Sequence, residues 1–160
     1  WLSAHPNVPR SRVIVDGTGY ADDVKPVCAD NRLNGTRLAL HFYGFWHSTW
    51  TDPKQWVADF DQRLGTCAYR TILDEFGASM TTGLNYNGPV NGSNEIAYIQ
   101  SVTTRLRELH MGSVYWPGLR TDDTYSLTSA SGTGNHISLS VNSASGLDRV
   151  LWGWGYAVTA

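Results

Sequence analysis

Short apolar runs alternate with longer amphipathic segments along this chain of 160 residues. Four of the runs cover residues 12–17, 37–44, 70–77 and 112–118, and each ends in glycine or in a cluster of polar residues. Continuous apolar runs of this length are typical of strands that are covered on both faces. The alternation therefore predicts a βαβαβ pattern, which is an α/β fold with four parallel strands and outer helices.

The segment between the second and third runs carries helix signals at both ends. Asp52 is placed to cap the first turn, Pro53 takes the first helical position, and Gly65 follows the last apolar residue. Helical spacing places four apolar residues on one face: Trp56, Val57, Phe60 and Leu64. This face is predicted to cover the sheet.

Two further helices are predicted towards the C-terminus. In the segment 93–112 apolar residues recur at every third or fourth position, and Gly112 is expected to end the helix. Residues 143–155 form the last predicted helix, with Leu147, Val150 and Leu151 facing the sheet. Residues 20–34, between the first two runs, give a weaker signal and predict a short helix or a turn at most.

The carboxyl ends of the four predicted strands bring together the residues best suited to chemistry. All strands of a parallel sheet point the same way, so these ends form one rim, and ligands of α/β proteins bind there. The residues at this rim are Asp16, His41, Tyr43, Asp74, Glu75, Tyr115 and Trp116. Because side chains alternate along a strand, we expect Asp74 to point away from Glu75 and to have a structural role.

Charge and composition narrow the class of partner. The chain has 12 Lys and Arg against 14 Asp and Glu, so no basic surface is expected to follow a nucleic acid backbone. No apolar run approaches the roughly 20 residues that cross a bilayer, so we expect no membrane partner. The seven tryptophans exceed what a small core needs and favour a stacking surface for ring-shaped ligands, with core packing as the alternative for each.

The two cysteines, Cys28 and Cys67, are either joined in one disulfide or both free. A low-charge composition rich in Gly, Ser, Thr and Asn is typical of secreted proteins, so it favours the disulfide and an extracellular location. Both cysteines precede predicted strands and so belong to the same end of the sheet. The sequence contains no complete phosphate-binding glycine loop, no nucleophile elbow and no paired metal ligands, so no cofactor and no metal are expected.

Three motifs at successive strand ends identify a family that the chain resembles. They are "HFY" at 41–43, "DEFG" at 74–77 and "YWPG" at 115–118. In this order and spacing they resemble the C-terminal half of a glycoside hydrolase family 5 enzyme, a family that includes many bacterial endoglucanases. The resemblance runs from Val13 to Trp154. It implies that the chain is strands five to eight, half of a (β/α)8 TIM barrel.

The resemblance also assigns roles to individual residues. It implies that Glu75 is the catalytic nucleophile, and that His41 and Tyr43 line the subsite of the cleaved sugar, with the Tyr43 hydroxyl bonded to Glu75. It makes Trp116 the platform under that sugar. Two further tryptophans in the loop after the second strand are expected to be exposed and to extend the sugar-binding surface, with plain packing as the alternative: Trp46 and Trp50.

The chain departs from the family in its second catalytic group. A retaining glycosidase needs a nucleophile and an acid/base carboxyl group about 5–5.5 Å apart. The family carries the acid/base in an Asn-Glu-Pro motif, which does not occur in this sequence. The other two glutamates, Glu95 and Glu108, fall on a predicted helix. The catalytic pair is therefore half missing, so we expect the isolated chain to be inactive or nearly so.

Residues 1–160 are thus predicted to be a single C-terminal half-barrel of a retaining β-glycosidase that acts on a β-glucan such as cellulose. The alternative is a non-catalytic module that binds carbohydrate or assembles with itself. The polypeptide partner is expected to be the N-terminal half of the same enzyme or a second copy of this chain. The first is favoured because residue 1 is Trp rather than Met and the opening residues look like the end of a helix.

Overall fold

The computed structural model describes residues 1–157 and contains a four-stranded parallel sheet. The strands are β1 (Ile14–Asp16), β2 (Arg37–His41), β3 (Thr71–Phe76) and β4 (Ser113–Tyr115), and they lie side by side in chain order. All three pairings are parallel. The predicted α/β arrangement of four parallel strands with flanking helices is confirmed.

Five helical segments flank or connect the strands: α1 (Thr18–Ala21), α2 (Lys25–Cys28), α3 (Pro53–Leu64), α4 (Asn94–Glu108) and α5 (Ala144–Gly153). Short 3-10 turns lie between them at Arg10–Arg12, Asn31–Leu33, Gly44–His47 and Ala68–Arg70. The first two helices have four residues each, which agrees with the weak signal of that region. None of the helices described within residues 1–157 is long and apolar enough to span a membrane.

Helix α3 begins and ends where its sequence signals predict. The Asp52 carboxylate accepts a hydrogen bond from the Lys54 backbone N–H at 2.9 Å, and Pro53 opens the helix. Gly65 follows the last turn with φ 53°, a conformation that glycine adopts without steric strain and other residues rarely adopt. The buried residues of this helix are Trp56, Phe60 and Leu64.

Helix α4 ends earlier than predicted. Its last residue is Glu108, Leu109 caps it, and the chain leaves the helix through His110 at φ 50°. The prediction that Gly112 ends the helix is wrong, because a left-handed residue other than glycine already turns the chain two residues before it.

The core lies between one face of the sheet and helices α3 and α4. The Leu38, Leu40 and Leu73 side chains of β2 and β3 are fully buried, as are Trp56 of α3 and Ile99 of α4. The opposite face is open at its two edge strands, where Ile14 and Val114 are 53% and 52% exposed, whereas Ala39 of the central strand β2 is fully buried there. We call the buried side the outer face and the open side the inner face.

A two-stranded antiparallel hairpin between β4 and α5 was not predicted. It consists of β5 (Thr128–Thr133) and β6 (His136–Val141), which pair along their full length. The sequence signal was present, because "HISLSV" alternates strictly between polar and apolar residues after a Gly-Asn pair.

The structure joins Cys28 to Cys67 in a disulfide with a Cα–Cα distance of 6.4 Å. Cys28 ends α2, and Cys67 lies just before the turn that leads into β3. The crosslink ties together the segments that precede β2 and β3, at the amino-terminal end of the sheet.

Candidate functional site

The carboxyl ends of β2 and β3 lie side by side at one rim and bring Tyr43 into contact with Glu75. His41 and Glu75 are register partners in the sheet, and Tyr43 follows β2 by two residues. The Tyr43 hydroxyl donates a hydrogen bond of 2.7 Å to Glu75 Oε1. The predicted contact between these two residues is present.

His41 lies between two carboxylates. Its Nε2 atom is 3.6 Å from Asp74 Oδ1 and 3.6 Å from Glu75 Oε2. Asp74 and Glu75 therefore approach the same imidazole, and the expectation that they point to opposite faces is wrong. The register of β3 shifts here against both neighbours, because His41 pairs with Glu75 and skips Asp74, and the pairing with β4 is irregular between Leu73 and Phe76, so β3 loses its regular alternation.

Burial changes the pKa of two groups at the rim, the Asp74 carboxyl and the Tyr43 hydroxyl. Burial raises the pKa of Asp74, the charges of Asp16 and Glu75 raise it further, and His41 opposes the change. Asp74 Oδ1 is buried and has no hydrogen-bond partner among the described residues. Burial also raises the pKa of the Tyr43 hydroxyl, and the bond to Glu75 adds to the effect, so Tyr43 keeps its proton and acts as a donor.

Trp116 lies on the other side of Glu75, at the end of β4, and is 47% exposed. Its backbone N–H donates to the Phe76 carbonyl oxygen at 2.8 Å, which extends the pairing of β3 with β4 to the rim. A Cβ atom at Gly77 would lie 2.2 Å from the Trp116 carbonyl oxygen. The glycine after Phe76 is therefore required for this close approach of the Trp116 backbone.

Trp46 and Trp50 are half-buried and pack against the core, so the expectation that they are exposed is wrong. The Arg63 guanidinium lies 4.9 Å from the centre of the Trp46 ring. The Trp50 ring stacks on His47 with centroids 3.7 Å apart. These contacts occupy ring surface that a sugar would need.

Phe45 is a further aromatic residue of the rim, which the sequence pattern did not indicate. It lies in the 3-10 turn Gly44–His47 and is 57% exposed. Its ring stacks on Tyr43 with centroids 4.9 Å apart and an interplanar angle of 26°. Phe45 and Trp46 are adjacent aromatic residues after "HFYG", and the sequence gives no signal that only the first of them is exposed.

The other two glutamates have partners away from Glu75. The Glu95 carboxylate accepts hydrogen bonds from the Ser79 hydroxyl at 2.8 Å and from the Ser79 backbone N–H at 3.3 Å. Glu108 lies at the far end of α4 and pairs with Arg105. Within residues 1–157, no group of three or more His, Cys, Asp or Glu residues is arranged to hold a metal ion.

Comparisons of the chain with protein-family models, with curated proteins and with solved structures returned no match. What the chain does must therefore be inferred from the rim itself. The rim combines a hydrogen-bonded glutamate, an imidazole between two carboxylates, and exposed aromatic rings on two sides.

Proposed function

We propose that this chain is the nucleophile-bearing half of a retaining β-glycosidase that acts on a β-glucan such as cellulose. The observation that carries the proposal is the 2.7 Å hydrogen bond from the Tyr43 hydroxyl to Glu75 Oε1 at the strand ends. It orients the carboxylate on β3, and the exposed indole of Trp116 follows the neighbouring strand β4. A flat apolar ring next to a fixed carboxylate suits the face of a pyranose and its anomeric carbon.

In the proposed reaction, a Glu75 carboxylate oxygen attacks the anomeric carbon and forms an ester bond to it. The glycosidic C–O bond breaks, and its electron pair stays on the leaving oxygen. That oxygen needs a proton from an acid unless it leaves as a stable anion. Tyr43 holds the nucleophile in orientation, and Trp116 supports the sugar that is cleaved.

The same proposal assigns the sheet to half of a (β/α)8 barrel. Four parallel strands in chain order are half the number that a barrel contains. Among the described residues, β1 and β4 are paired on one side only, and the apolar side chains of Ile14 and Val114 on these edge strands are more than half exposed. A second half would pair with both edges and cover these side chains.

The N-terminal half of the same enzyme is the favoured partner over a second copy of this chain. Glu95 and Glu108 lie on α4, where they contact Ser79 and Arg105, and neither is at a strand end as Glu75 is. A different half would supply that carboxyl group, whereas a second copy would repeat the nucleophile. The disulfide between Cys28 and Cys67 supports a secreted enzyme.

Covalent labelling tests this function without the missing acid. The reagent is 2,4-dinitrophenyl 2-deoxy-2-fluoro-β-cellobioside, whose leaving group departs as a stable anion. Intact mass should increase by one fluorocellobiosyl group, and peptide mapping should place it on Glu75. Glu75→Gln should lower the labelling rate by at least about 1000-fold, because its amide is a poor nucleophile.

Glu108→Gln is the matched control. It should be labelled at the wild-type rate, because Glu108 is the last residue of α4, away from the strand ends, and pairs with Arg105. Label on another residue, or no label on the wild-type chain, would overturn the catalytic proposal. A labelled Glu75→Gln variant would have the same consequence.

The second candidate is a non-catalytic module that binds carbohydrate or assembles with itself. The exposed Trp116 ring favours binding, since a platform works without turnover. Quenching of tryptophan fluorescence by a soluble β-glucan, together with no labelling of Glu75, would select binding. If the glucan does not quench the fluorescence and Glu75 is not labelled, self-assembly is the remaining candidate.

A further inference from the structure

Phe45 and Trp116 flank the proposed nucleophile on opposite sides. Phe45 follows β2, Trp116 follows β4, and Glu75 lies on β3 between these two strands. The rings are 57% and 47% exposed, respectively. The rim therefore presents one aromatic ring on each side of the carboxylate.

The Phe45 ring is held in place by its neighbours. It stacks on Tyr43, whose hydroxyl is fixed by Glu75, and its edge meets Trp46 at a centroid distance of 6.3 Å and an angle of 85°. The turn itself is pressed onto α4, because a Cβ atom at Gly44 would lie 3.1 Å from the Tyr98 ring. A ring that is anchored on one side and open on the other loses little freedom when a ligand stacks on it.

We infer that Phe45 is a second sugar platform, for the residue on the leaving-group side of the bond that Glu75 attacks. The inference rests on the proposed function, which places the cleaved sugar on Trp116. The leaving-group sugar then extends from Glu75 toward β2, where Phe45 offers its exposed surface. The substrate class is accordingly an extended β-linked glycan that occupies both sides of the nucleophile, rather than a short glycoside.

The test compares the affinities of Phe45 variants for cellotetraose, mannotetraose and xylotetraose, measured by isothermal titration calorimetry on the purified chain. Phe45→Ala is expected to weaken binding of the best tetrasaccharide about fivefold to tenfold. Phe45→Leu stays apolar but loses the flat ring, so it should weaken binding almost as much. Phe45→Trp keeps a flat aromatic ring, so its affinity should equal or exceed that of the wild-type chain.

Tyr69→Ala is the matched control. Tyr69 is an aromatic residue with 76% exposure in the turn before β3, at the opposite end of the sheet. Its removal should leave tetrasaccharide affinity unchanged. The thermal unfolding midpoint of each variant shows whether a loss of affinity reflects a loss of fold.

The two proposals fail in different ways. If Phe45→Ala or Phe45→Leu binds like the wild-type chain, the platform is overturned, while labelling of Glu75 still supports the enzyme. Binding that depends on the Phe45 ring without any labelling of Glu75 supports Phe45 as a sugar-binding ring but overturns the catalytic role, and with it the assignment of Phe45 to the leaving-group sugar. A wild-type chain that binds none of the three tetrasaccharides overturns the platform outright.

Discussion

The two faces of the parallel sheet are built from the same strands but differ in what covers them. On the outer face, Leu38, Leu40 and Leu73 are fully buried beneath α3 and α4. On the inner face, Ile14 and Val114 are more than half exposed. The outer face therefore stabilises this chain by itself, whereas the inner face has apolar surface available to a partner.

The first prediction tests the packing of α3 over the outer face by removing the largest buried side chain of this helix. Trp56 is fully buried, and its ring lies 5.2 Å from the rings of both Trp50 and Tyr98. Trp56→Ala should lower the free energy of unfolding by about 3–5 kcal/mol, because it removes buried apolar area and leaves a cavity. Urea unfolding followed by circular dichroism measures the loss.

Tyr69→Ala, at an exposed site, should stay within about 0.5 kcal/mol of the wild-type chain. A loss below about 1 kcal/mol in Trp56→Ala would show that α3 contributes little to the stability of this chain.

The second prediction tests the inner face as an assembly surface. Val114→Asp puts a charge where a complementary half would bury an apolar side chain, so association should weaken by at least about tenfold. Ile137→Asp is the control, because Ile137 is 63% exposed but lies on the hairpin. Size exclusion with light scattering measures the mass of each particle.

The wild-type chain is expected in particles larger than its own 17.7 kDa. A monodisperse wild-type particle of that mass with cooperative unfolding would contradict assembly through the inner face. Equal weakening by Val114→Asp and Ile137→Asp would point to the hairpin as well as the sheet.

The predictable parts of the fold are those set by local chemistry. Asp52, Pro53 and Gly65 each act within one turn of their own position, and α3 follows them. The end of α4 could not be predicted in the same way, because His110 adopts a left-handed conformation that side-chain type alone disfavours. The second strand of the hairpin was predictable, because polar and apolar residues alternate along 136–141.

The candidate site shows the same limit more sharply. The i, i+2 spacing of His41 and Tyr43 placed both near Glu75, because spacing along a strand is local. The orientation of Asp74 goes with register shifts of β3 against both β2 and β4, and these pairings join segments that are distant in sequence. Phe45 and Trp46 are neighbours in sequence, but the Arg63 guanidinium, from a position 17 residues further along the chain, lies over Trp46 and leaves Phe45 exposed. The sequence alone does not show which of the two rings Arg63 covers.

The last prediction concerns Asp74, which lies at the rim beside Glu75 and His41. Burial raises the pKa of this carboxyl group in the folded chain above the 3.8 of an ordinary aspartate. The folded state therefore binds more protons than the unfolded state as pH rises through this range, so the charged Asp74 lowers stability at neutral pH. Asp74→Asn should raise the thermal midpoint at pH 7 by about 1–3 °C, and the difference should close below pH 3.8.

Asp30→Asn provides a control of opposite sign. Hydrogen bonds from Arg32 lower the pKa of Asp30 to about 2, so its charge stabilises the fold at neutral pH, and this stabilisation is lost as pH falls toward about 2. Asp30→Asn should lower the midpoint slightly at pH 7, because Asp30 pairs with Arg32 at the surface. Differential scanning calorimetry of both variants from pH 3 to pH 7 measures the two slopes. A midpoint of Asp74→Asn below that of the wild-type chain at pH 7 would show that the attraction between Asp74 and His41 outweighs the burial of the charge, and that Asp74 stabilises the rim in its ionised form.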